Sequence, residues 1–294
     1  VLDNLDYGHK ANVKWGDFIQ GSVRDTPVLK KIFRKYNIRA VMHFAAYAYV
    51  GESVTDPQKY YQNNVHGTIS LLEQTLKQNV RYFIFSSSCA VYGIPLKIPI
   101  DEGHPRKPIS PYGRSKHMIE EILADYNNAY PFEFMSLRYF NAAGADPDGE
   151  LGEKHDPETH IIPLILDVAK GRATSIQLYG NDYDTEDGSC IRDFIHVSDL
   201  AEAHILALEK LFNGHSSEFI NIGTGRGFSV LQTIHISSKI TGKNIPFEVV
   251  GRRPGDPPVL IASNDKARRL LGWNPNYTNL EDIISTAWNW HKNF

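Results

Sequence analysis

The chain has 294 residues, with 31 Lys or Arg against 34 Asp or Glu and a formal net charge of −3; this length holds one large or two ordinary domains, and two is the better expectation. Charges of both signs are interspersed with no basic stripe, which argues against nucleic acid as a partner and for a small molecule. Cys89 and Cys190 are too few for a disulfide framework, and no apolar run approaches the roughly 20 residues of a membrane helix, so a cytoplasmic protein of a reducing compartment is expected.

In chain order, VLDN reads as the tail of a strand already under way, because the chain opens without Met on apolar residues. Upstream residues, and with them any targeting segment, would be missing from this sequence. FIQG follows, then a helix over PVLKKIFRKY, the strand AVMHFA, a long helix from about Pro57 to Gln78 and the strand FIFSSS. A helix from about Pro111 to Tyr130 and the strand FMSLRYFN complete the first stretch. This alternation predicts an α/β fold, a doubly wound, Rossmann-like and mostly parallel sheet. Between Gly144 and Asp187 the pattern gives way to Gly, Pro, Asp and Glu, with one helix over Pro163 to Lys170. IRDFIHV, a helix from Asp199 to Leu211 and FINIG restore it. The expected division is residues 1–143, with 191–222 returning to them, as a dinucleotide-binding domain, and residues 144–190 and 223–294 as a smaller substrate-binding domain.

The ends of four predicted strands are polar or small: Asp3 and Asn4, Ala45 and Ala46, Ser86 to Ser88, and Asn141. Ligands of doubly wound sheets sit outside the carboxyl ends of the strands. Tyr112 and Lys116 in PYGRSK stand four apart on the next predicted helix, hence on one face, where the ammonium favours the phenolate. With the serines upstream they describe a proton-transfer site beside a nicotinamide. A dinucleotide site also needs a Gly-rich turn after the first strand and an acid about 20 residues on. Asp3 fits the acid, which puts the first strand and its glycines before residue 1. Gly223, Gly225 and Gly227 in NIGTGRGFSV lack the required spacing and read instead as a tight turn, with Ser229 capping the following helix.

The stretches HFAAYAYVGESV, FIFSSSCAVYG, PYGRSK, LRYFNAAGADP, DYDTEDGSCIRDFIHVSDLAEAH, NIGTGRGFSV and RRPGDPPVLIAS, in this order, resemble the extended short-chain dehydrogenase/reductase family in its branch of UDP-sugar 4-epimerases. The resemblance runs from Asp3 to Trp290. It implies interconversion of UDP-glucose and UDP-galactose with retained NAD, through a 4-keto sugar. Tyr112 would take the proton of the 4-hydroxyl, Ser88 would orient that hydroxyl, and Lys116 would bind the nicotinamide ribose. Asp3 and Asn4 would hold the adenosine end and Ser22 and Val23 would flank the adenine. Phe44, Ala45 and Ala46 would pass under the pyrophosphate, with Asn63, Ser86 and Tyr139 completing the cofactor site.

For the UDP-sugar the matched positions are Asn141, Arg192, Arg253 and Asp256, with Ile161, Gln177, Tyr179 and Leu260 lining the site. Two guanidinium forks suit a diphosphate and a carboxylate suits a ribose diol. The plain alternative for Arg192 is an ion pair with Asp193 or Asp187. The chain departs from many relatives at Ser22, where they carry an acid, and at Leu260, intermediate in bulk, which implies partial tolerance of N-acetylhexosamines. HDPETH invites a metal reading through His155, Asp156, Glu158 and His160, but its spacing matches no helix-borne zinc motif and hydride transfer gives a metal no task. No metal is expected; the loop is read as lining the sugar-nucleotide site, with His160 near the uracil or ribose. A 4,6-dehydratase needs an Asp-Glu pair where Cys89 and Ala90 stand. A UDP-pentose (xylose and arabinose) 4-epimerase and a binding-only remnant stay open as alternatives. The resemblance also implies a homodimer through the long helix and the helix carrying Tyr112.

Overall fold

A computed structural model of the chain describes residues 1–253 and 256–293. The strands and helices alternate as β1 (Leu2–Asp3), β2 (Ile19–Gln20), α1 (Thr26–Lys35), β3 (Ala40–His43), α2 (Val50–Thr55) and α3 (Pro57–Tyr60). A π-helical segment, Tyr61–His66, leads into α4 (Gly67–Lys77), then β4 (Tyr82–Ser88), a short 3-10 turn at Cys89–Val91, α5 (Pro111–Ala129), β5 (Glu133–Tyr139) and β6 (Asn141–Ala143). There follow α6 (Ile161–Ala169), β7 (Ile176–Tyr179), β8 (Ile191–Arg192), β9 (Phe194–His196), α7 (Val197–Phe212), β10 (Glu218–Ile222) and β11 (Phe228–Ser229). The chain closes with α8 (Val230–Thr241), β12 (Phe247–Val250), β13 (Val259–Leu260), α9 (Asp265–Leu271) and α10 (Leu280–His291).

Two compact units result: Val1–Gly93, Arg106–Arg138 and His204–Ile220 form the first, and Ile94–Pro105, Tyr139–Ala203 and Asn221–Phe294 the second. The sequence reading returned 191–222 to the first unit; in the structure 204–220 belong there and 191–203 to the second. Segment 94–105, which carried no periodic signal, also lies in the second unit.

The first unit is a Rossmann-like α/β layer. Its main sheet has the order β10-β5-β4-β3, with β3 and β4 parallel in the register Ala40↔Tyr82 to His43↔Phe85. β1 and β2 pair parallel with each other, Leu2 against Ile19, and among the described residues no strand joins them to β3. Leu2 nevertheless packs on the core that holds Val41, Phe83, Phe85, Leu72 and Phe134. Six of the seven residues of β4 are buried, which is why its sequence reads as a continuous run rather than an alternation. The helices begin where short polar side chains satisfy first-turn amides: Asp25 accepts from Val28 N at 3.1 Å and Ser110 from Gly113 N at 3.1 Å, each with a proline in the first turn.

In the second unit, β8 is flanked by antiparallel β11 and parallel β13, β12 pairs with β7, and β6 with β9. The predicted strand FMSLRYFN is therefore two strands in two sheets, broken at Phe140. Helices α6, α8 and α10 cover cores built from Ile162, Leu166, Ile234, Ile283 and Ile284. Ser229 caps α8 in a reciprocal box with Gln232, as its sequence position indicates.

Candidate active site

The end of β4 and the first turns of α5 bring together the three residues singled out for proton transfer. Ser88, Tyr112 and Lys116 are all buried. Lys116 Nζ donates to the Ser86 carbonyl at 2.7 Å and lies 4.9 Å from the Phe85 ring centre and 5.9 Å from that of Tyr112. Ser88 Oγ accepts from Ala90 N at 3.2 Å, which opens the 3-10 turn and ends the strand. Gly113 is what lets the helix start so close: a Cβ there would stand 2.5 Å from the Ala90 carbonyl oxygen.

Burial pushes Lys116 down to about 7, with the charge of Glu120 opposing it. Burial, and then the Lys116 charge, push His43 at the end of β3 down to about 3. Thr68 Oγ1 gives its proton to the Asn64 carbonyl at 2.6 Å, so the 2.8 Å bond between it and His43 Nε2 is donated by the imidazole, which fixes a neutral Nε2–H tautomer.

Of the cofactor residues expected around this pair, all but Tyr139 fall in the same unit; Tyr139 belongs to the second. Asp3 ends β1, its carboxylate accepting from Leu5 N at 2.6 Å; a Cβ at Gly8 would come within 2.6 Å of Asp3 Oδ1, so the loop must keep clear of that carboxylate. Asn4 Nδ2 donates to Asp6 at 2.8 Å. Ser22, next to buried Val23, lines an open cavity of about 740 Å³ with Arg24, Asp25, Tyr61, Gln62 and His66. Phe44, exposed, packs on His204 at 4.7 Å between ring centres, and Ala45 and Ala46 follow it after β3. Asn63 is buried on the π segment and donates to Asn64 Oδ1 at 3.2 Å.

These residues fit a nicotinamide dinucleotide. The buried Lys116 ammonium makes one hydrogen bond among the described residues, leaving two N–H donors for a ribose diol.

Sequence reasoning missed Asn64. Its amide brackets the backbone of Tyr47, accepting from Tyr47 N at 2.9 Å and donating to Tyr47 O at 3.0 Å, and also donates to Ser115 Oγ at 3.2 Å. It thereby ties the loop after β3 to α5. The adjacent pair Asn63-Asn64 was the only signal available.

In the second unit, Tyr139 ends β5 and Asn141 begins β6; Asn141 Oδ1 is a buried acceptor with no hydrogen-bond partner among the described residues. Arg192 pairs with neither Asp193 nor Asp187: its Nη2 lies 2.5 Å from Asp256 Oδ1 and its Nη1 donates to the Ile191 carbonyl at 2.8 Å. Leu260 is the register partner of Arg192 on β13. The Arg253 guanidinium lies 3.8 Å from the Tyr179 ring centre, and Tyr179 OH donates to Gln177 at 2.6 Å.

Asp193 is internal. Its carboxylate accepts from Thr224 N and Oγ1, Gly225 N and Ala262 N at 2.6 to 3.1 Å, so the Thr224 and Gly225 amides of the glycine turn are already taken. His160 stands at the N-cap position of α6, which starts at Ile161, but its side chain caps no amide and pairs with Glu153 instead; His155 pairs with Glu153 at 3.0 Å and Glu158 at 3.8 Å. One ligand atom from each of these four residues lies within 4.8 Å of the others, in a loop geometry the spacing of HDPETH does not announce. The carboxylate hydrogen bonds push His155 up to about 9, so near neutral pH the cluster carries its own counter-charges.

A family model described as the NAD dependent epimerase/dehydratase family matches residues 1–223. The chain belongs to this family. It is 49% identical over 292 residues to the UDP-glucose 4-epimerase of Halalkalibacterium halodurans, covering 99% of this chain and 87% of that protein. Its fold superposes on the UDP-glucose 4-epimerase of Brucella ovis in complex with NAD with a TM-score of 0.95 and 51% identity, over 98% of this chain and 88% of the other. The enzyme of Bifidobacterium longum in complex with NAD+ and UDP matches with a TM-score of 0.93 at 38% identity, over 99% and 90%.

Proposed function

We propose that the chain interconverts UDP-glucose and UDP-galactose by reversible oxidation at the sugar 4-position, through a 4-keto intermediate and with retained NAD. The observation that carries this reading is the buried Tyr112–Lys116 pair beside the Ser86–Ser88 strand end, in a chain 49% identical to a UDP-glucose 4-epimerase. NAD, when bound, supplies the acceptor and donor of the 4-hydride.

The chain's own residues handle the proton and the placement. Tyr112 takes the proton from the 4-hydroxyl and returns it after the keto-sugar has turned over. Ser88 orients that hydroxyl, and Lys116 holds the nicotinamide ribose while its charge favours the Tyr112 phenolate. Asp3, Asn4, Ser22, Val23, Phe44, Ala45, Ala46, Asn63, Ser86 and Tyr139 serve the cofactor. Arg192, Arg253 and Asp256 hold the nucleotide, with Asn141, His160, Ile161, Gln177, Tyr179 and Leu260 around it. Since Arg192 and Asp256 pair with each other, nucleotide binding redirects an existing ion pair rather than two free charges. No described helix is long and apolar enough to cross a membrane. A cytoplasmic homodimer, paired through the helices of 57–77 and α5 as the resemblance implies, is the assembly we favour.

Tyr112→Phe tests the chemistry. Epimerisation should fall by about 10²- to 10⁴-fold while UDP affinity stays within about twofold, because only the proton acceptor is removed. Unchanged turnover would reject Tyr112 as the base.

A further inference from the structure

We propose that Glu120 and Arg138 are positioning residues for the proton-transfer group, holding Lys116 as a charged donor and locking the strand end that carries Ser88. The proposal rests on the function proposed above.

Glu120 follows Lys116 by four residues on α5 and so lies on the same helix face. It is fully buried, and its carboxylate gathers donors from both neighbouring strands. Oε1 accepts from Ser87 Oγ at 2.7 Å, Arg138 Nε at 2.8 Å and Ser136 Oγ at 3.0 Å, and Oε2 from Arg138 Nη2 at 2.7 Å. Arg138 Nη1 donates to Tyr92 OH at 2.9 Å, and the guanidinium packs 4.9 Å from the Phe219 ring centre. One carboxylate thus binds α5, β4 and β5 together.

The placement matters for Ser88. Side chains alternate across a strand, so Ser87 points away from the face shared by Ser86 and Ser88. Anchoring Ser87 to Glu120 fixes the peptides that present Ser88 Oγ and the Ser86 carbonyl without occupying the site. A buried ion pair of this kind is often replaceable by apolar packing at no loss of stability, so holding the fold together is not a sufficient account of it.

The charge matters for Lys116. The titratable groups facing it are Tyr112 and Glu120 on its own helix and His43 on β3, with Arg138 and Tyr92 behind Glu120. His43 is held neutral, and Glu120 is the anion that opposes the cost of burying the ammonium. Neutralising Glu120 therefore makes Lys116 lose its proton at lower pH.

The test is Glu120→Gln in the NAD-loaded protein, beside Glu120→Asp. For Glu120→Gln the expected result is NAD content and KM within about twofold of wild type, kcat lower by about tenfold, and the alkaline limb of kcat displaced about one pH unit downward. Glu120→Asp keeps the charge and should return the limb toward its wild-type position. Acetic anhydride labelling of Lys116 against pH, read by mass spectrometry, should show the same displacement. It decides the question even if the wild-type chain fails to epimerise UDP-sugars, an outcome that would sink only the functional reading. Should Glu120→Gln not fold, Glu120→Gln with Arg138→Met removes both charges and is scored by the same two readouts. A kcat limb and a Lys116 labelling midpoint that coincide with wild type would overturn the proposal.

Discussion

Lys116 is a largely buried ammonium, and its protonation is therefore coupled to folding. Its folded value near 7 lies below the ordinary lysine value of 10.5, so between those limits the unfolded chain binds the extra proton. Stability of the cofactor-free chain should consequently rise with pH across that window, by about 1.4 kcal/mol per unit from this group, and be indifferent to it below pH 7. Denaturant midpoints measured from pH 7 to 9 for wild type and Lys116→Met check this; equal slopes for the two would reject it. His43 works on the acid side by the same logic: neutral in the fold, it resists protonation down to about pH 3, so its contribution declines as pH drops below 6.5. Tyr112, Lys116 and Ser88 were legible because helical spacing and a strand end are local properties. The partner of Arg192 was not: Asp256 lies 64 positions away, whereas Asp187 and Asp193 are near in sequence and engaged elsewhere.

At the scale of elements, α5 is set by its first turn. Ser110, Pro111 and Gly113 respectively cap the helix, start it and allow it onto the backbone after β4. Gly113→Ala would drive a methyl group into the Ala90 carbonyl and shift the turn that carries Tyr112. The expected cost is about 1–3 kcal/mol of stability, with a larger proportional loss of kcat than of cofactor content. Gly51→Ala, with nothing within 4 Å of its Cβ, is the control and should be neutral; equal effects of the two would argue against the close approach. The long helix read from Pro57 to Gln78 is in the structure α3, a π segment and α4. Periodicity cannot find a π segment, because Asn63 and Asn64 owe their positions to bonds with a distant loop and with each other. The strands of the first unit were legible as apolar runs, but β7, β11, β12 and β13 were not read, nor were the breaks at Phe140 between β5 and β6 and at Asp193 between β8 and β9.

At the scale of the whole molecule, the chain passes from one unit to the other at residues 93, 105, 138, 203 and 220. The α/β alternation was readable up to residue 143 and again from 191 to 222, but not between Gly144 and Asp187. The passages were not, since the composition of 94–105 resembles any surface loop. Residues 1–138 expressed alone should lack a cooperative unfolding transition, because segment 204–220 completes the sheet edge at β5; a sharp transition with native-like β content would count against this. That edge also has a history during synthesis. Phe134 N donates to Ser217 Oγ across 83 residues of sequence, and Glu133 accepts from Ser217 N. At ribosomal speed those residues take on the order of ten seconds to arrive. For that interval each nascent chain displays an open strand edge, and in a crowded polysome it is the neighbouring chains, rather than its own β10, that are first in reach.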